Sequence, residues 1–136
     1  MRTFWLGVAI VAACGGGPDS TPEGTVRELA RLLAEEGWDP AAREKAFGLL
    51  DPRTRRELTR RAREASKAGG KALAAHEMIV PGGTTLRFEV TKVRVVDERV
   101  DRATVEVRGA RREKAQLRLV REGDAWRVVL PLGGTS

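Results

Sequence analysis

Three times in the first half of the chain a helix-capping residue is followed at once by proline: Thr21-Pro22, Asp39-Pro40 and Asp51-Pro52. Proline disfavours helical backbone in the residue before it, and its own fixed φ suits the first position of a helix. The Thr or Asp side chain can meanwhile accept from the free amides of the first turn. Each pair therefore ends one segment and begins a helix, which predicts three short helices. After Thr21, with Glu23 in the first turn, Val26, Leu29, Ala30 and Leu33 recur at helical spacing, and the helix is expected to end at Gly37. The second helix offers Ala42, Ala46, Phe47 and Leu50 for burial; the third runs to about Gly69-Gly70.

From Leu86 onward the apolar period changes from helical to two. Leu86, Phe88 and Val90 alternate with polar residues, and Val93 and Val95 then shift parity, which predicts a bulge near Thr91 or Lys92. Ala103, Val105 and Val107 make a further strand, and Ala115, Leu117 and Leu119 another. Glu122-Gly123-Asp124 is a turn signal, after which Trp126, Val128 and Leu130 complete a hairpin. Short links between strands require antiparallel pairing, with one face of the sheet covered by the helices. At 136 residues, 41% of them hydrophobic and 32% charged, the chain is sized for one globular domain and is too apolar to stay disordered. The fold class expected is α+β, the domain occupying residues 22–136.

The formal charge is +6, with Lys and Arg outnumbering Asp and Glu by 25 to 19. Arg53, Arg56, Arg60, Arg63 and Lys67 fall within an arc of about 80° on the third helix, while Leu58, Ala62 and Ala65 lie on the opposite side. Such a stripe could rest on the phosphates of anionic lipid or on an anionic envelope polymer; it could equally be a solvated face.

Residues 1–13 read MRTFWLGVAIVAA: one cation, an apolar run, then small residues, the layout of a secretory leader too short to span a bilayer as a permanent helix. Val11-Ala12-Ala13-Cys14 resembles the bacterial lipobox, in which an aliphatic and two small residues precede an obligatory cysteine. The resemblance implies that Cys14 is alkylated with diacylglycerol, that the leader is cut before it, and that the mature chain is lipid-anchored. Cys14 is also the one cysteine present, so no disulfide within the chain can form. An ordinary signal peptide cut after Ala13 and a retained amino-terminal anchor are the competing layouts. Residues 14–21, rich in Gly, Pro and Ser, are expected to tether the domain to the lipid. By resemblance to lipoprotein sorting signals, Gly15 directs the protein to the periplasmic face of an outer membrane.

Three helices followed by antiparallel strands and a closing Gly123-Asp124-Ala125-Trp126-Arg127-Val128 resemble the NTF2-like, cystatin-like fold. Leu49-Leu50-Asp51-Pro52 with Thr54-Arg55 is similar to small bacterial lipoproteins whose domain is of unknown function. The resemblance implies a curled sheet of about four strands with the helices packed on it. It does not select an activity, because the superfamily holds isomerases, dehydratases and binding proteins alike.

The one histidine, His76, stands beside Glu77 between the third helix and the strands, and a His-Glu pair could act as acid and base. Adjacent residues on a strand, however, face opposite ways. With a single His and its cysteine committed to lipid, the chain lacks the usual ligands of zinc. Gly69-Gly70 and Gly82-Gly83 read as turns rather than phosphate loops. Six aromatic residues offer no stacking platform for nucleic acid. Asp97, Glu98 and Asp101 read as solvated. The expectation is a non-enzymatic envelope lipoprotein without cofactor or metal, membrane-bound through Cys14, whose domain binds a ligand or partner. The alternatives are an NTF2-like enzyme with a cavity acid/base, in which Trp38 or His76 would line a pocket, and an electrostatic adaptor for anionic surfaces.

Overall fold

The structure, a computed structural model, describes residues 17–34, 39–79 and 88–131. Each of the three capped pairs, Thr21-Pro22, Asp39-Pro40 and Asp51-Pro52, starts a helix. Thr21 caps α1 (Pro22–Leu33), its hydroxyl oxygen accepting from the Gly24 amide at 3.0 Å. Asp39 caps α2 (Pro40–Gly48) by accepting from Ala41 at 3.3 Å. Asp51 caps α3 (Pro52–Gly69), where one carboxylate accepts the amides of Arg53 and Thr54, each at 3.2 Å. α3 closes at Gly70, whose φ of 68° lies in the left-handed region that glycine enters without a Cβ penalty.

The second half forms a curled, unclosed antiparallel sheet of β1 (Lys92–Glu98), β2 (Arg102–Arg108), β3 (Lys114–Glu122) and β4 (Ala125–Val129), in sequence order. The period-two residues share one face: Val93 and Val95 pair with Val107 and Val105, which oppose Ala115 and Leu117, and Leu119 opposes Val128. Against that face pack Val26, Leu29 and Leu32 of α1, Ala42 and Ala46 of α2, and Leu58 of α3. Val26, Ala46, Leu50, Val105, Val107 and Val128 are fully inaccessible, so the space between helices and sheet is filled.

The link between α2 and α3 joins the sheet. Leu50 bridges Val128 in parallel, with the Val128 amide donating to Leu49 O and the Asp51 amide to Val128 O, both at 2.9 Å. These bonds cover the outer edge of β4, which would otherwise offer unpaired backbone groups, and they fix where α3 begins relative to the strands.

Several expectations shift. α1 ends at Leu33 with Ala34 as its cap, short of Gly37, which lies outside the described residues. The Ala34 amide is shared between Ala30 O and Arg31 O, a tightening typical of a last turn. Its buried face is Thr25, Val26, Leu29 and Leu32, while Ala30 and Leu33 are half-buried. A threonine can be interior because its hydroxyl lies 3.1 Å from Thr21 O and 3.2 Å from Trp126 O. Among the described residues the first strand begins at Lys92; the expected start at Leu86 lies outside them, and Phe88 and Val90 precede the ladder and are half-buried against the core. The register shift is not at Thr91 or Lys92 but between Val95 and Asp97. The parity change at Thr91 falls where the strand is only beginning, so there is no ladder for it to disrupt. The extra residue is Val96, on the edge strand just before its turn, where a bulge costs least.

Residues 17–21, within the stretch read as a tether, include a 3-10 turn at Pro18–Ser20 that docks on the domain. Asp19 accepts from Arg127 at 2.8 Å. Gly24 permits this approach: a Cβ there would stand 2.2 Å from Pro18 O.

Candidate functional site: an arginine-lined cleft

Between α3 and the sheet lies an open cleft of about 980 Å³, lined by residues of both sheet faces, Ala103 and Leu119 from one and Thr104, Arg118 and Val120 from the other. Alternation along β3 sends Arg118 and Val120 to the face opposite Leu117 and Leu119, and register places Arg118 beside Thr104 and Val129. α3 contributes Arg53, Arg56 and Arg60 from the side of the helix away from Leu58 and Ala62. The β1–β2 connection adds Arg99 and Arg102.

The carboxylates that line the cleft, Asp51, Glu57 and Asp97, are each already engaged. Asp51 is 4% exposed and caps α3; it also accepts a short hydrogen bond from the Thr54 hydroxyl. That hydroxyl oxygen in turn takes the Leu130 amide at 3.4 Å. Glu57 grips Arg60 through two contacts at 2.6 and 3.1 Å and Arg61 at 2.9 Å. These bonds lower its pKa to about 2, with the Arg60 hydrogen bond the largest cause. Arg60 is held from its other side by Glu64 at 2.8 Å. Asp97 stands 3.5 Å from Arg99, and Asp101 3.8 Å from Arg102. Three guanidinium groups remain in the cleft with no acidic partner among the described residues: Arg53, Arg56 and Arg118.

The basic stripe is thus placed unevenly. Arg53, Arg56, Arg60, Arg63 and Lys67 are all solvent-exposed. Arg53, Arg56 and Arg60 reach the cleft, while Arg56, Arg60 and Arg63 border a smaller groove of about 410 Å³ on the helix itself. Lys67 lines neither. Glu57 and Glu64, which neutralise Arg60, were readable as i−3 and i+4 neighbours. Arg118 was readable as an outward residue of its strand. What the sequence could not supply was the angle at which α3 leaves the edge of β4, and that angle decides which arginines meet.

A second cleft, of about 910 Å³, lies between α1 and the β1 edge and includes Glu106. Glu106 sits on the polar side of β2 by alternation, yet it is 5% exposed. Arg94 donates to one of its oxygens at 2.7 Å and Arg108 to the other at 3.3 Å. The Arg94 bond is the first cause of a lowered pKa.

His76 lies in a 3-10 turn, Ala75–Met78, rather than on a strand, and is half-buried. The Glu77 carboxylate accepts the Ala74 amide at 2.7 Å, which closes the turn instead of orienting the imidazole. His76 lines neither of the two large clefts. Asp97 and Asp101 are exposed and carry the arginine contacts above, and Glu98 is exposed as well. Among the described residues no three His, Cys, Asp or Glu side chains converge as a metal site would require. Cys14, Trp38 and Gly82-Gly83 lie outside the described residues. The chain matches no family model, no curated protein and no solved structure.

Proposed function

We propose that the chain is an envelope lipoprotein, exported by residues 1–13 and anchored through lipid on Cys14, whose NTF2-like domain binds a ligand or partner without catalysing a reaction on it. The observation that carries the anchor is Val11-Ala12-Ala13-Cys14 behind an apolar run in a chain with one cysteine. Small residues let the backbone enter a narrow protease site, and a thiolate is nucleophilic enough to take the lipid. Two or three acyl chains then hold the protein stably, at about 0.8 kcal/mol per buried methylene. Gly15 favours the outer membrane, with the domain in the periplasm.

Two further features support this reading. No helix among the described residues is long and apolar enough to cross a membrane. Asp19, fixed to Arg127 at 2.8 Å, stands five residues from Cys14, a stretch that extended backbone spans in no more than about 18 Å. Lipid on Cys14 therefore keeps the β4 side of the sheet close to the bilayer. Support for binding rather than catalysis comes from the carboxylates. Glu28, Glu57, Glu106 and Glu122 are all lowered, each by an arginine hydrogen bond first, which suits permanent charge rather than proton transfer near neutrality.

The test is Cys14→Ser expressed in a diderm bacterium fed labelled palmitate. The parent should be labelled, shortened and membrane-bound, whereas the variant should accumulate as an unlabelled, full-length precursor. A variant processed and released like its parent overturns the anchor.

A further inference from the structure

We propose that the arginine-lined cleft binds the phosphate headgroup of an anionic phospholipid, through Arg53, Arg56 and Arg118. This names the ligand of the domain under the reading above.

The three guanidinium groups carry charge without a structural purpose. Arg53 and Arg56 come from α3 and Arg118 from β3, and all three line one cleft whose carboxylates are already engaged, Asp51 in the α3 cap, Glu57 by Arg60 and Arg61, and Asp97 by Arg99. Packing does not require them, because α3 is held by Thr54, Leu58 and Ala62 and by the Asp51 cap. Three cations that line one cleft without an ion-pair partner of their own among the described residues repel one another, and that repulsion turns into affinity when an anion enters. The neighbouring arginines show how the fold neutralises such groups when it does so: Arg60 has Glu57 and Glu64.

Three guanidinium groups also call for more acceptors than a carboxylate offers. A carboxylate has two oxygens and is saturated by one or two guanidinium forks, whereas a phosphate presents more acceptor sites around a tetrahedral centre and can serve three. The lining is also amphipathic. The cleft is far larger than a phosphate ion, and Val120 and Val129 form an apolar part of its wall, suited to the carbon of a glycerol and the start of its chains. Val100, 83% exposed, lies in the turn between Arg99 and Arg102, both of which line the cleft. An exposed aliphatic side chain flanked by cations is the composition of a membrane-surface contact. The cleft also lies on the bilayer side set by the amino terminus. Arg102 pairs with Val120 and Val120 with Arg127, so the arginine that holds Asp19 is two strands away, about 10 Å.

The experiment uses the full-length chain in non-ionic detergent, titrated with dihexanoyl-phosphatidylglycerol, with dihexanoyl-phosphatidylcholine as a control for micelle partitioning, and with inorganic phosphate. Calorimetry should show phosphatidylglycerol binding well above phosphatidylcholine. The triple variant Arg53→Gln, Arg56→Gln, Arg118→Gln should lose at least about tenfold in affinity, the effect of deleting one charge-assisted hydrogen bond, while Arg63→Gln with Lys67→Gln should bind like the parent. Equal losses in both variants would show a diffuse charge effect and overturn the site. Inorganic phosphate binding as tightly as phosphatidylglycerol would overturn the lipid assignment, as would phosphatidylcholine binding equally well. If the triple variant fails to fold, Arg118→Gln alone is read by the same criteria. The soluble probe needs no anchor, so an unlipidated Cys14 would leave this result standing and the two failures separable.

Discussion

Asp19 and Arg127, 108 residues apart, meet at 2.8 Å and join the segment that enters the domain to its last strand. Arg127 also donates to Glu122 at 3.1 Å, and Glu122 accepts from Arg55 of α3 at 2.8 Å. One chain of ion pairs thus connects the amino-terminal turn, β4, β3 and α3. Asp19 and Arg127 are partly exposed, so Asp19→Asn should cost less than about 1 kcal/mol in global stability. Its larger effect should be local. Amide exchange at Asp19, Ser20 and their neighbours should accelerate severalfold while the β2 and β3 amides keep their protection; unchanged exchange at the turn would show that Asp19 does not hold it.

Gly24→Ala tests the same docking from the other side. Replacing a helical glycine ordinarily gains about 0.5–1 kcal/mol, but here the new methyl would meet Pro18 O at 2.2 Å. The turn must lift, which opposes the gain and breaks the Asp19 contact. The expected signature is non-additivity: Gly24→Ala should be less harmful in the Asp19→Asn background than in the parent, measured as a double-mutant cycle by urea denaturation. Strict additivity would separate the two.

Asp51 is the most consequential of the three caps. It is buried, takes two amides and the Thr54 hydroxyl, and stands where the α2–α3 link pairs with Val128. Asp51→Ala should lose about 2 kcal/mol or more, because the cap is removed and Thr54 is left short of a partner in the interior. Asp39→Ala, which removes one exposed contact at 3.3 Å, should cost well under half of that. Matched denaturant curves would show the order, and a reversed order would mean that the link, not the cap, fixes α3.

Thr21, Asp39 and Asp51 made the helices readable because capping and proline geometry are local, decided within four residues. Ala103, Val105, Leu117 and Val128 made the sheet readable for the same reason, since alternation needs only the strand itself. The bulge was misplaced because Val90 and Val93 mark a change of parity without saying whether paired backbone surrounds it. Thr25 is polar by type, and its burial depends on Trp126 O, a partner 101 residues away. The cleft falls in the same class. Its arginines were visible singly, but their meeting depends on Leu50 joining β4 and so aiming α3.

Leu50 should therefore be doubly sensitive. It is fully buried and lies at the bridge to Val128. Leu50→Ala should cost about 2–5 kcal/mol through the lost transfer and the cavity left behind. It should also weaken phosphatidylglycerol binding in protein that remains folded, because α3 loses its reference to the strands. Leu32→Ala, equally a core truncation but on α1, should destabilise without altering binding. Equal effects on binding would mean that the cleft depends on the core as a whole and not on that link.

Glu122 makes stability sensitive to acid. The Arg55 hydrogen bond, and secondarily Arg127, hold its pKa below the usual carboxylate value of 4.5. In the unfolded chain the group titrates near that usual value, so between the two values the unfolded state binds the proton and the folded state does not. Its contribution to stability is therefore complete above pH 4.5 and is lost as pH falls through the lowered, folded-state value. Glu122→Gln should lower the urea midpoint at pH 7, and its curve should converge with that of the parent as the pH drops below about 4.5. Glu57, lowered to about 2, should behave in the same direction down to lower pH, with a smaller amplitude because solvent screens an exposed pair. A Glu122→Gln penalty that persists undiminished at pH 2 would assign the loss to packing of the side chain rather than to its charge.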